Sequence, residues 1–193
     1  VTDRFGDAAV EFIEAERDGP FFLFVSFTAP HGPLQPRPGD VELPELASIE
    51  KKRRRDYAGL VKAMDDNVGK ILAALEREGI AGETLVIFTN DNGGQTLTAA
   101  VNLPLRGRKG ELYEGGIRVP AAIRWPGVIS PGTVVEAPAF SLDLAPTFLA
   151  AAGHPAPGDS GLDGVDLTPM LRGEAPGLTA ERSIYWRRRG SEG

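Results

Sequence analysis

Two residues with hard oxygen donors, Asp91 and Asn92, stand at the end of the apolar run Val86-Ile87-Phe88-Thr89 and are followed by Gly93-Gly94. A carboxylate and an amide carbonyl suit calcium or magnesium, and the glycines let the backbone turn sharply enough to aim both at one point. Asp-Asn-Gly is also ordinary turn chemistry at a strand end, and spacing alone does not separate the two readings. A second polar group is His31 in "APHGPLQP", directly after another apolar run. It reads as a titratable site residue or as a solvated side chain in a proline-rich loop. The third cluster is "NLPLRGRKGELYEGGIRVP", residues 102–120, where Arg106, Arg108, Lys109 and Arg118 are interspersed with glycine and proline. Such a loop can bring cations and backbone N–H groups to an anion, or can be a solvated basic loop. It is not a phosphate-binding Walker loop, because the Gly-x4-Gly-Lys-Ser/Thr spacing is missing.

These groups need elements to hold them. Phe5, Ala8, Ala9, Phe12, Ile13 and Ala15 predict a helix at about 5–17, ended by Gly19-Pro20. Phe21–Phe27 is a continuous aromatic and β-branched run that predicts a strand buried on both faces. Pro30, Pro33, Pro36, Pro38 and Pro44 then predict a long loop over 29–48, outside helix and sheet alike. Tyr57, Leu60, Val61, Met64, Val68, Ile71, Leu72 and Leu75 repeat at helical spacing, and Gly79 closes that helix. A second strand follows at Thr84–Thr89, so the three elements read as a β-α-β crossover with two parallel strands. The His31 loop and the Asp91-Asn92 loop then leave the same sheet edge, where open α/β folds place ligands. Further along, Val119–Arg124 predicts a short strand, and Leu142–Ala152 a helix capped by Ser141 and ended by Gly153.

Composition narrows the class of function. With 41% hydrophobic and 25% charged residues among 193, the chain suits a globular domain with a core. Its 21 basic and 27 acidic residues give a formal charge of -6. The only concentrated basic runs, Lys51–Arg55 and Arg187–Arg189, form no stripe, which argues against a nucleic-acid partner. No apolar run approaches the roughly 18 residues of a membrane span. The absence of cysteine excludes disulfides, thiolate metal sites and a cysteine nucleophile within these residues. The chain opens on Val1 in what reads as the approach to a helix, as a piece of a longer protein would.

Six blocks, "PFFLFVSFTAPHGPLQ", "YAGLVKAMDDNVGKIL", "TLVIFTNDNGG", "NLPLRGRKGELYEGGIRVPAAIRWPG", "SLDLAPTFLAAAG" and "LDGVDLTPML", follow one another in an order that resembles the sulfatases of the alkaline-phosphatase-like superfamily. The resemblance covers nearly the whole chain. It implies an α/β fold with a mostly parallel sheet flanked by helices, incomplete here, with residues 1–193 forming the C-terminal portion of one catalytic domain. It also implies hydrolysis of sulfate esters of sugars or aryl alcohols around one calcium ion, with a formylglycine nucleophile made from a Cys/Ser-x-Pro-x-Arg motif.

On that resemblance Asp91 and Asn92 match two calcium ligands, His31 the histidine beside the sulfate and leaving oxygen, and Lys109 the sulfate-binding lysine. Glu114 and Arg118 are expected to hold the loop. The nucleophile, the paired aspartates that complete the calcium shell, and the smaller terminal sheet are expected outside this chain. No serine here opens a Ser-x-Pro-x-Arg motif. The implied partners are a sulfated small molecule or carbohydrate and a formylglycine-generating maturation system; the implied location is periplasmic or extracellular. A phosphoesterase or phosphonate hydrolase of the same superfamily, or a non-catalytic remnant of the fold, stands as the alternative.

Overall fold

Helix α1 (Thr2–Glu16) begins three residues before the apolar stripe does, because Thr2 and Asp3 are polar and carry no periodic signal. The Asp3 carboxylate is favourable in a first turn, where it faces the positive end of the helix dipole. The computed structural model describes residues 1–187, and these divide into two units. One comprises Val1–Ala81 with Thr89–Ala121, the other Gly82–Phe88 with the chain from Ala122 onward. Arg188 and Arg189 of the second basic run lie outside the described residues.

In the first unit α1 packs on the long helix α3 (Lys52–Arg77), and Ala9, Ile13, Ala63, Ala74 and Leu75 are buried. The helices touch at Gly6, where an added Cβ would lie 2.0 Å from Asn67 Oδ1. Asn67 Nδ2 donates to Asp3 Oδ1 at 2.8 Å and to Ala63 O at 2.7 Å, tying the start of α1 to the middle of α3. Gly79, with φ of 73°, ends the α3 segment as the sequence suggests.

Two expectations for this unit need correction. Residues 21–27 join no sheet among the described residues, and they are not buried on both faces. Exposure alternates along them: Phe22 and Phe24 are 66% and 77% exposed, while Phe21 packs edge-on to Phe12 and Phe27 edge-on to Phe5. One face is covered by α1. A continuous apolar run reports that both faces avoid water, but not which chain segment covers the second. The expected parallel crossover pair is therefore not formed among these residues.

The loop over 29–48 also holds a 3₁₀ turn at Asp40–Glu42 and a short helix α2 (Pro44–Ala47). Proline is excluded from helix interiors but suits a first turn, where its missing N–H has no intrahelical partner. Arg37 anchors the loop to both long helices. It donates to Asp40 at 2.8 Å, to Asp3 at 3.1 Å and to Asp66, which also accepts from Lys62 at 2.9 Å. Hydrogen bonds from Asn67 to Asp3, and from Arg37 and Lys62 to Asp66, hold both carboxyls below the usual range.

Strand β1 (Val86–Thr89) pairs with β2 (Ala121–Arg124), each two residues shorter at its start than expected, and apart from Thr89 and Ala121 both belong to the second unit. Helix α5 (Leu144–Ala151) is entered through a 3₁₀ turn at Ser141–Asp143 and ended by Gly153, φ 77°. Ser141 is not the cap. The buried Asp143 carboxylate accepts from Phe140 N at 2.7 Å, from Val165 N at 2.9 Å and from both Arg182 nitrogens at 2.6 and 2.7 Å. A carboxylate outcompetes a hydroxyl here because it accepts several charge-assisted bonds at once. Thr147 donates to Asp143 O and accepts from Leu167 N, joining α5 to the core of Leu167, Met170 and Leu171 at helix α6 (Thr168–Leu171). No helix among the described residues is long and apolar enough to cross a membrane.

Candidate active site

Strand β1 hands the chain to Asp91, whose exposed carboxylate has no hydrogen bond or ion pair among the described residues. The amide of Asn92 donates from Nδ2 to Gly93 O at 3.1 Å, which leaves its carbonyl oxygen as a free acceptor. Gly93 is required by close approach. Its N–H donates to Gly116 O at 3.0 Å, and a Cβ there would lie 1.9 Å from Gly115 O.

The basic loop folds against the same backbone. Helix α4 (Glu114–Ile117) is a single turn, and Gly115 N donates to Arg106 O at 2.7 Å. Arg106 lies over the Tyr113 ring, 3.8 Å from its centroid, and donates to its hydroxyl at 2.8 Å. Arg108 donates to Glu111 and to Thr96 Oγ1, both at 3.2 Å, and Arg118 pairs with Glu114 at 3.2 Å. These three cations are committed to loop partners. Lys109 differs: it is half-buried, its ammonium has no partner among the described residues, and its backbone N–H donates to Gly94 O at 3.2 Å. The lysine is thus bonded through its backbone to the loop that presents Asp91 and Asn92.

His31 sits on a turn closed by its own N–H to Thr28 O at 2.8 Å. Its Nδ1 lies 2.8 Å from Gly32 O. A carbonyl only accepts, so Nδ1 carries the hydrogen and Nε2 is the ring nitrogen left for other work. A Cβ on Gly32 would lie 3.7 Å from Thr98 Cγ2, so this turn neighbours the 3₁₀ turn Thr96–Thr98 that follows the Asp91–Gly94 loop. The Asp91–Gly94 and Arg106–Gly110 loops are directly bonded, and the His31 loop flanks them through Thr98.

Asn102 carries no distinguishing signal in the sequence. It opens "NLPLRGRKG" and looks like one more turn residue, yet its side chain bonds the backbone of both Gly94 and Gly107. Nothing in a lone asparagine announces that.

Asp91 and Asn92 are oxygen donors with open acceptor atoms, which fits part of a calcium shell of six to eight oxygens. Among the described residues no three His, Cys, Asp or Glu side chains gather as a metal cluster, so the two fill only a share of such a shell.

The Sulfatase family model matches residues 1–154. The chain belongs to the sulfatase family. This sulfatase chain is 40% identical over 184 residues to steryl-sulfatase of Mus musculus, covering 91% of the chain and 28% of that protein. It superposes on the crystal structure of Ps i-CgsB in complex with k-i-k-neocarrahexaose with a TM-score of 0.85 and 38% identity, over 90% of the chain and 39% of that structure. It is also similar to the phosphonate monoester hydrolase SpPMH from Silicibacter pomeroyi, with a TM-score of 0.53 and 35% identity over 62% of the chain and 23% of that structure. The fold is the α/β architecture of the alkaline-phosphatase-like sulfatases, present as an incomplete portion. The chain spans well under half the length of each of these three relatives.

Proposed function

We propose that the complete protein carrying this chain hydrolyses sulfate esters, and that residues 1–193 are the C-terminal portion of its catalytic domain. The observation that carries this reading is the bond from Lys109 N to Gly94 O, which joins an uncommitted ammonium to a loop ending in two uncommitted oxygen donors. Lys109 binds the sulfate oxygens and stabilises the negative charge that gathers there as the ester bond breaks. His31, with Nδ1–H committed to Gly32 O, acts through Nε2: as imidazolium it donates a proton to the departing oxygen, as neutral imidazole it cannot. Lys109 is the other candidate donor to that oxygen. Asp91 and Asn92 would hold one calcium ion together with carboxylates from outside this chain, and when bound the ion would supply Lewis-acid stabilisation of charge on the sulfate oxygens. A formylglycine outside this chain, installed by a maturation system, would supply the nucleophile. Arg106 and Arg108 shape the loop.

The substrate is a sulfated carbohydrate or a small sulfate ester. Relatives named for steryl-sulfatase activity and crystallised with a neocarrahexaose support both classes. An exported enzyme, periplasmic or extracellular, suits that substrate range. The second reading, a phosphonate or phosphate ester hydrolase, is favoured by the likeness to SpPMH. It ranks lower because Asn92 is a neutral oxygen donor and the described residues gather no histidine set for transition metals. Measuring kcat/KM of the complete protein on a sulfate monoester and a phosphonate monoester of the same phenol separates the two. The sulfate should lead by at least about tenfold, and a phosphonate preference would overturn the assignment. A non-catalytic remnant would turn over neither.

A further inference from the structure

We propose that Asn102 is the positioning residue that sets Lys109 against the Asp91–Asn92 loop; the inference rests on the reading of those residues given above. Asn102 commits both amide N–H donors, and its carbonyl oxygen as an acceptor, to two segments of backbone. Its Oδ1 accepts from Gly94 N at 2.9 Å, and its Nδ2 donates to Gly94 O at 2.8 Å and to Gly107 O at 3.1 Å. Toward Gly94 the primary amide thus pairs with one residue's N–H and C=O together, as a neighbouring strand would. Its second N–H reaches across to the turn two residues before Lys109.

The geometry singles out an amide. Gly94 O is the same oxygen that accepts from Lys109 N, so the carbonyl that Asn102 orients also fixes the lysine backbone. An aspartate of the same shape could still accept from Gly94 N. It would, however, have no hydrogens for the two carbonyls and would set a negative charge against them. An alanine would leave three half-buried backbone groups without this partner. Close packing fixes the arrangement further, since a Cβ on Gly94 would lie 2.5 Å from Ala100 Cβ and 2.8 Å from Asn102 Oδ1. Asn102 touches neither the sulfate nor the metal ligands in this reading; it acts through Gly94 and Gly107.

A double-mutant cycle with Lys109 in the complete protein tests this, because a general loss of stability would be additive whereas positioning is not. Asn102→Ala should lower sulfate-ester kcat/KM by at least about thirtyfold in the native background and by less than about threefold in Lys109→Ala. In calorimetry Asn102→Ala should weaken inorganic sulfate binding as Lys109→Ala does, and Asn102→Asp should do no better than Asn102→Ala. An additive cycle alongside a large Lys109→Ala loss would overturn the role of Asn102 and leave the site reading standing. A Lys109→Ala enzyme with native turnover would overturn the site reading and this role with it. Should Asn102→Ala not fold, Asn102→Ser, which keeps one donor and acceptor, carries the same cycle; if neither folds, Asn102 is a stability residue and the proposal fails.

Discussion

The backbone N–H of Lys109 donates to the carbonyl oxygen of Gly94 at 3.2 Å, two residues beyond Asn92. A cation and a pair of oxygen donors from separate stretches of sequence are thereby held in one loop assembly. Lys109 is also the arginine-rich loop's uncommitted cation among the described residues, since Arg106, Arg108 and Arg118 each have a partner there. Position and availability coincide at this lysine.

Lys109→Ala in the complete protein should therefore lower sulfate-ester turnover by at least about a hundredfold, the scale for removing one donor of transition-state charge. Arg108→Ala loses bonds to Glu111 and Thr96 and should cost less than about tenfold. Equal losses in steady-state kinetics would remove the distinction between them.

Glycine positions give opposite expectations. Gly93→Ala would drive a Cβ to 1.9 Å from the Gly115 carbonyl oxygen, a backbone atom that cannot move aside alone. It should destabilise the protein by about 1–3 kcal/mol, as overpacking does, and depress activity. Gly69 is exposed within α3, and its Cβ position meets nothing within 4 Å. Gly69→Ala should raise stability by roughly 0.5–1 kcal/mol. Denaturant melts of both variants check the pair.

Much of this was legible in the sequence, and what was not has definite physical causes. Helices α1 and α3 announced themselves through apolar periodicity, and their ends were displaced only where polar residues such as Thr2 and Lys52 extend a helix without adding to its stripe. Proline density over 29–48 hides the short helix that begins at Pro44, because proline is excluded from a helix interior but not from a first turn. Phe21–Phe27 reads as doubly buried because composition cannot say which neighbour covers a face. Asp91, Asn92 and His31 stand out by residue type and by their place after apolar runs, and Lys109 through the resemblance to sulfatases. Asn102 does not, because its role is a set of hydrogen bonds to Gly94 and Gly107, and no spacing rule encodes those.

Acid should unfold the second unit through Asp143. Burial pushes its carboxyl pKa up, but the Arg182 guanidinium and the N–H groups of Val165 and Phe140 outweigh this and hold it below the usual range. A carboxyl lowered in the folded state contributes stability that is fully present above the unfolded value near 4 and is lost as pH falls through the folded value. Thermal melts should show that loss below about pH 4, and Asp143→Asn should flatten it at the cost of lower stability at pH 7. Asp3 and Asp66 titrate in the same direction in the first unit, so the flattening should be partial.

Expressed alone, residues 1–193 should hydrolyse neither sulfate nor phosphate esters, since they hold no cysteine or Ser-x-Pro-x-Arg motif to supply the nucleophile. Phe22 and Phe24, at 66% and 77% exposure, also leave an apolar face toward water. Size-exclusion chromatography should show aggregation. Turnover by the purified 193-residue chain above that of its Asp91→Ala variant would reveal a nucleophile elsewhere.

The assignment of Asp91 and Asn92 to a calcium-dependent sulfate-ester hydrolase is tested most directly by turnover of the complete protein after chelation and metal re-addition. Chelation should abolish hydrolysis of an aryl sulfate, and calcium but not zinc should restore it. Asp91→Ala should require more calcium for half-activity than Asn92→Ala, because a formal charge beside a divalent ion is worth more than a neutral carbonyl. Restoration by zinc with none by calcium would contradict the account.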